Sequence, residues 1–125
     1  MSGLDGLFGR ATALMPYMMT GIPGPGDTVG LFKAMTEAGA DAFEIGIPYA
    51  DPLMDGPVIQ EAGSRSLANG MTLERGLDAA GEVVAATGVP CVVMTYVNPV
   101  LCIGPARFAA RASDAGVSGE ISRIS

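Results

Sequence analysis

The 125-residue chain has no histidine and no tryptophan, only 7 basic residues against 13 acidic ones, and 2 cysteines. Without histidine, the Ser-His-Asp and Cys-His nucleophile pairs, histidine-based zinc sites and the usual base for neutral pH are all excluded. Acid–base chemistry then falls to carboxylates, tyrosines or the one lysine, Lys33. The shortage of base, with a formal net charge of −6, opposes binding to a phosphate backbone, and no Lys/Arg cluster with interleaved aromatics offsets it. Nucleic acid is excluded as a partner on that ground. Cys91 and Cys102 do not form a Cys-x-x-Cys pair and read as small buried hydrophobes of a reducing cytosol. The N-terminal residues lack a basic segment followed by an apolar one, and the apolar run from Ala13 to Met19 is short and broken by Pro16. Neither export nor a membrane span is expected, and the expected location is cytoplasmic.

What is present is an apolar content of 49 %, enough for one core of ordinary domain size, together with 18 glycines and 9 prolines that punctuate it with tight turns. Leu31, Phe32, Met35 and Ala38 share one helical face between Thr28 and Ala38, with Asp27 at the start, Lys33 and Glu37 facing outward and Gly39 at the end. Ala42 to Ile45 reads as a short strand, Gly46 to about Pro57 as a loop, and Val58 to Asn69 as a helix stopped by Gly70. Thr72 is placed to cap a further helix carrying Leu73, Leu77, Ala80 and Val84 at helical spacing. The unbroken run Cys91 to Tyr96 has the composition of a strand buried on both faces, and Pro105 opens a helix that Gly116 ends.

Similar punctuation recurs at Ala38-Gly39-Ala40-Asp41, Thr87-Gly88-Val89-Pro90 and Ala115-Gly116-Val117-Ser118. The glycines are spaced 49 and 28 residues apart, so one β/α unit has standard length and the other carries an insertion of the kind that holds active sites. Strands alternating with helices imply a parallel sheet in the α/β class. About three units are present, so either the sheet is open or a barrel is incomplete.

Between Lys33 and Arg65 lie six acids, Glu37, Asp41, Glu44, Asp51, Asp55 and Glu61, and no base. Glu44 sits near the carboxyl end of an apolar strand, where side chains of β/α folds face the active-site mouth, and a carboxylate there costs free energy unless it is partnered. Asp55 follows Pro48 and Pro52, which stiffen the loop and could hold it facing Glu44. Two carboxylates in unlike environments can divide the work of proton transfer and charge stabilisation. The plainer alternative is a Glu44 held by backbone and an Asp55 that makes a turn. A cation site at Asp51, Asp55 and Glu61 lacks the EF-hand spacing. Lys33, a formal Schiff-base candidate, belongs to the polar face of its helix. Tyr17, Tyr49 and Tyr96 read as packing residues, although aromatics at strand ends often line pockets for flat ligands.

The run Phe43-Glu44-Ile45-Gly46-Ile47-Pro48-Tyr49-Ala50-Asp51-Pro52-Leu53-Met54-Asp55-Gly56-Pro57-Val58-Ile59-Gln60 closely resembles the α subunit of tryptophan synthase. Agreement continues in Pro16-Tyr17 with Thr20-Gly21, in Ala38-Gly39-Ala40-Asp41, in Ala68-Asn69-Gly70-Met71-Thr72 and in Met94-Thr95-Tyr96-Val97-Asn98-Pro99-Val100, from about Leu7 to Gly119. The resemblance implies part of a (β/α)8 TIM barrel and a lyase that cleaves indole-3-glycerol phosphate to indole and glyceraldehyde 3-phosphate by a retro-aldol step in tryptophan biosynthesis. It implies that Glu44 handles the proton and that Asp55 bonds the indole N–H, with Tyr17, Met94 and Tyr96 lining the indole pocket. Pro48, Asp51 and Pro52 would meet the β subunit. No cofactor is implied for this chain, because the family's pyridoxal phosphate belongs to the β-subunit partner.

The family continues after Gly119 with an apolar fourth strand, whereas here Glu120 to Ser125 form a divergent tail. Residues 1–119 are therefore expected to be the N-terminal half of a barrel, with little or no turnover alone and a tendency of two half-barrels to associate through exposed strand edges. The competing expectations are a non-catalytic module that binds or modulates a β subunit and, more remotely, another phosphate-binding barrel lyase.

Overall fold

A computed structural model describes residues 3–7, 9, 12–52 and 54–123. Of the sequence expectations, Leu53 in the long motif and Ile124 and Ser125 in the tail lie outside these residues. A 3-10 turn at Gly3–Leu7 precedes four strands, β1 (Tyr17–Met19), β2 (Phe43–Gly46), β3 (Cys91–Tyr96) and β4 (Gly119–Arg123), and a second 3-10 turn lies at Pro25–Asp27. The strands form one parallel sheet in the order β1-β2-β3-β4. Between them run α1 (Thr28–Glu37), α2 (Pro57–Ala68), α3 (Leu73–Thr87), α4 (Val97–Ile103) and α5 (Pro105–Ala115). This is the α/β architecture expected from the alternating punctuation.

Each strand follows its predecessor in space because a helix returns the chain to the amino end, the connection that parallel strands require. The helix boundaries obey local chemistry. The Thr72 hydroxyl accepts the Arg75 N–H at 3.2 Å and caps α3, while Pro105 occupies the first turn of α5, where no backbone donor is missed. Gly88 and Gly116 end α3 and α5 with φ of 67° and 82°, a left-handed conformation that a Cβ would oppose. Asp27 precedes α1 without a side-chain capping bond, and the Thr28 hydroxyl instead accepts the Gly21 N–H at 3.0 Å.

One face of the sheet is closed by helices. Phe43, Ile45 and Ile47 pack with Cys91 and Val93 against Phe32 of α1, Leu77, Ala80 and Val83 of α3, Val100 of α4 and Phe108 and Ala112 of α5. Phe32 and Phe43 meet edge-on at 4.8 Å, a favoured aromatic geometry. Close approach of α3 depends on Gly76, where a Cβ would stand 2.8 Å from Ile47 Cγ1. Arg111 of α5 bridges to Glu74 and Asp78 of α3 at 3.5 and 2.8 Å, and Arg107 reaches Glu74 at 3.1 Å.

Three elements differ from the sequence expectation. The Ala13–Met19 run contributes β1, whose three residues pair with Glu44, Ile45 and Gly46. Gly119 and the polar stretch after it form β4 beside Val92 to Tyr96 of β3, so residues 120–123 of the expected tail belong to the sheet. Helix α4 starts directly at the end of β3. Among the described residues, no helix is long and apolar enough to cross a membrane.

Candidate functional site

Register determines which side chains leave the helix-packed face. Tyr17, Glu44, Val92 and Gly119 are aligned across the sheet, as are Met19, Gly46, Met94 and Ile121. Because side chains alternate along a strand, these rows face away from the core that holds Phe43, Ile45, Cys91 and Val93. Glu44 is thus flanked within β2 by two fully buried apolar residues yet is itself only half-buried.

On this side Tyr17, Glu44, Asp55, Ile59 and Met94 line an open cleft of about 270 Å³ at the carboxyl end of the strands. A second, nearly filled cavity of about 10 Å³ adjoins it, sharing Tyr17, Asp55, Ile59 and Met94 and adding Tyr49, Pro52 and Tyr96. The Tyr17 phenol crosses β2 at Gly46, where a Cβ would lie 2.7 Å from its Cζ. Glycine at that position is what lets the ring reach over the strand.

The loop between β2 and α2 brings Asp55 to the cleft, and its fastenings are visible bond by bond. The Asp55 N–H donates to the Pro52 carbonyl at 3.1 Å, and the Gln60 amide of α2 donates to the carbonyls of Pro52 and Asp55 at 3.2 and 2.8 Å. From β3, the Tyr96 hydroxyl accepts the Met54 N–H at 3.0 Å. Tyr96 is stacked on Tyr49 with ring centroids 5.1 Å apart, and the Tyr49 hydroxyl accepts from the Asn98 amide at 2.8 Å.

The six acids of the Lys33–Arg65 interval separate into different environments. Glu44 and Asp55 share the cleft, Asp51 is exposed on the loop, and Glu37 is exposed on α1. Glu61 pairs with Arg65 one turn along α2. Asp41 accepts the Leu14 N–H at 2.8 Å and returns its own N–H to the Leu14 carbonyl, tying the segment before β1 to the start of β2. Among the described residues no three His, Cys, Asp or Glu side chains converge as a metal-binding group.

Of the other residues singled out from the sequence, Tyr17 and Met94 line the cleft, whereas Tyr96 lines the smaller cavity and is only 3 % exposed. Pro48 is buried, so among Pro48, Asp51 and Pro52 only the last two present surface. Lys33 is exposed on α1. Cys91 is fully buried, and desolvation pushes its thiol from 9.0 up to about 11. Cys102 departs from the sequence expectation, since it is exposed on α4, a helix whose outer face turns it away from the core. Gln60 and Asn98 had no assigned role in the sequence, and Tyr49 was read only as a packing aromatic. Their positions flanking the Pro-rich loop were the available signal, but which atom each would bond depends on the fold.

Comparison with known proteins decides the relationship. A family model described as tryptophan synthase alpha chain matches residues 9–122. The chain belongs to the tryptophan synthase alpha chain family. It is 50 % identical over 108 residues to the tryptophan synthase alpha chain of Methylococcus capsulatus, covering 86 % of this chain and 40 % of that one. Against the Halalkalibacterium halodurans alpha chain the identity is 45 % over 112 residues, covering 89 % and 42 %. The solved structure of tryptophan synthase subunit alpha from Legionella pneumophila superposes with a TM-score of 0.90 at 35 % identity, over 96 % of this chain and 48 % of that one. An aminoacrylate-bound tryptophan synthase from Mycobacterium tuberculosis gives 0.89 at 38 % identity, over 98 % and 51 %. The chain thus spans about 40 % of the length of the curated alpha chains it matches, and its four-stranded sheet is part of the TIM barrel of the family.

Proposed function

We propose that this chain supplies the carboxylate pair of a tryptophan synthase alpha-type lyase, which cleaves indole-3-glycerol phosphate to indole and glyceraldehyde 3-phosphate. The observation that carries the reading is the shared cleft of Glu44 and Asp55, in a chain of that family. In the retro-aldol step the glycerol hydroxyl next to the ring loses its proton and becomes the aldehyde carbonyl. The bond to indole C3 breaks, and C3 takes up a proton. Glu44 is the group that moves these protons. Asp55, as an anion, accepts a hydrogen bond from the indole N–H and stabilises the positive charge that develops on the ring during protonation. Tyr17 and Met94 supply flat, polarisable walls suited to an indole.

The partner in this reading is a tryptophan synthase β subunit, which would carry the pyridoxal phosphate; Asp51 and Pro52, on the surface of the loop that carries Asp55, are its points of contact. A second reading is a module that binds a β subunit without turnover, through the surface that Asp51 and Pro52 present on that loop. One assay separates the two. Indole release from indole-3-glycerol phosphate, measured with and without a β subunit and lost in Glu44→Gln, supports the lyase. Co-elution with the β subunit without indole release supports the module, and neither release nor co-elution overturns both.

A further inference from the structure

The hydroxyl of Tyr96 does not face the open cleft. It is buried and accepts the Met54 N–H, one residue before Asp55, and its ring is held by Tyr49, whose own hydroxyl is held by Asn98 at the start of α4. We propose that Tyr96, Tyr49 and Asn98 form a clamp that positions the Asp55 loop over the cleft, Tyr96 acting as a positioning residue and not as a wall of the ligand pocket.

Three physical points support the clamp. A backbone N–H in a loop has no ladder partner, so a phenol offered from the rigid end of β3 competes with water for it. The phenol is immobilised because stacking restricts its ring, and the Tyr49 ring that stacks on it is in turn fixed by the Asn98 amide. The opposite side of the same turn is already fastened by Gln60 from α2, so Pro52, Met54 and Asp55 are gripped between α2 and the end of β3. A loop gripped on both sides keeps its carboxylate in place before any ligand arrives, which is the condition for an efficient site.

The inference deepens the proposed function and rests on it only for what Asp55 does, so its test reads the loop separately from the chemistry. Amide hydrogen exchange on the 125-residue chain is compared for wild type, Tyr96→Phe, Tyr49→Phe and Asn98→Ala, with Cys102→Ser as a control. Tyr96→Phe removes one oxygen and keeps the ring. The expected result is exchange at Met54 faster by about fivefold, the loss of one net hydrogen bond, with the protection of β3 unchanged. Tyr49→Phe and Asn98→Ala give smaller increases at the same amide, and Cys102→Ser gives none. Indole binding is followed by its own fluorescence, which is distinguishable because the chain has no tryptophan. Its dissociation constant rises about fivefold in Tyr96→Phe if Asp55 is displaced with the loop. Unchanged Met54 exchange in Tyr96→Phe overturns the clamp. Faster Met54 exchange in a chain that neither binds nor releases indole upholds the clamp and refutes the lyase reading instead.

Discussion

The two faces of β2 differ sharply in what surrounds them. Phe43 and Ile45 project into the helix-packed side and are fully buried, while Glu44, between them, looks out over the cleft beside Tyr17 and Met94. Alternation along a strand lets four consecutive residues serve two purposes, because adjacent side chains see unrelated surroundings. The helix side holds the fold together through area removed from water, whereas the opposite side contributes little to that core and is free to carry groups that stability alone would not select. Substitutions on the two faces should therefore separate stability from function.

The largest effect is expected from Phe43→Ala. It removes a fully buried ring that contacts Phe32 edge-on and should cost about 3–5 kcal/mol, read by denaturant or thermal unfolding. Glu44→Gln, one residue away, should leave the unfolding midpoint within about 0.5 kcal/mol of wild type while reducing any indole release by about 10²–10⁴-fold, the usual worth of a general acid–base group. A large loss of stability in Glu44→Gln would erase the contrast between the faces.

The next effect is set by pH. Burial raises the Cys91 thiol to about 11 from 9.0, so above pH 9 the unfolded chain releases this proton and the folded chain retains it. Its contribution is intact below pH 9 and is lost as pH rises from 9 to 11, and Cys91→Ser should flatten that part of the stability profile measured by chemical denaturation. Gly46→Ala tests the other face, since its Cβ would overlap the Tyr17 phenol. A shift of about 1 kcal/mol or more, with weaker indole binding, is the expected outcome as the ring is forced aside. Smallest is Arg111→Ala. Its ion pairs with Glu74 and Asp78 join α5 to α3 at a partly exposed site, so the loss should stay below about 1 kcal/mol and shrink in high salt.

Much of the fold was legible because strong local signals coincide with element ends. The β-branched run bounded β3 at the observed residues, and Thr72, Pro105 and Gly116 marked helix ends by side-chain or backbone chemistry that needs no distant partner. The elements that escaped lack such signals. β1 is three residues long and follows Pro16, and it is a strand because β2 offers an edge to it. β4 alternates polar residues with a single isoleucine, and the unpaired side of β3 gives those residues a ladder. In α4 the residues after Tyr96 are as apolar as those before it, so composition could not show where strand becomes helix.

Glu44 and Asp55 were recognisable because acid inside an apolar strand and acid after two prolines are both conspicuous, and their motif is specific to one family. The sequence by itself determined the β/α alternation and the absence of histidine chemistry, since these follow from residue type and short-range spacing. Only the tertiary structure decided that Asp41 fastens the start of the sheet while Asp55 reaches the cleft. It also turned the Tyr96 hydroxyl toward Met54 and Cys102 toward solvent. Hydrogen-bond partners and burial depend on groups tens of residues away, and a one-dimensional pattern carries no information about which of several acceptable partners the folded sheet and its helices bring within about 3 Å.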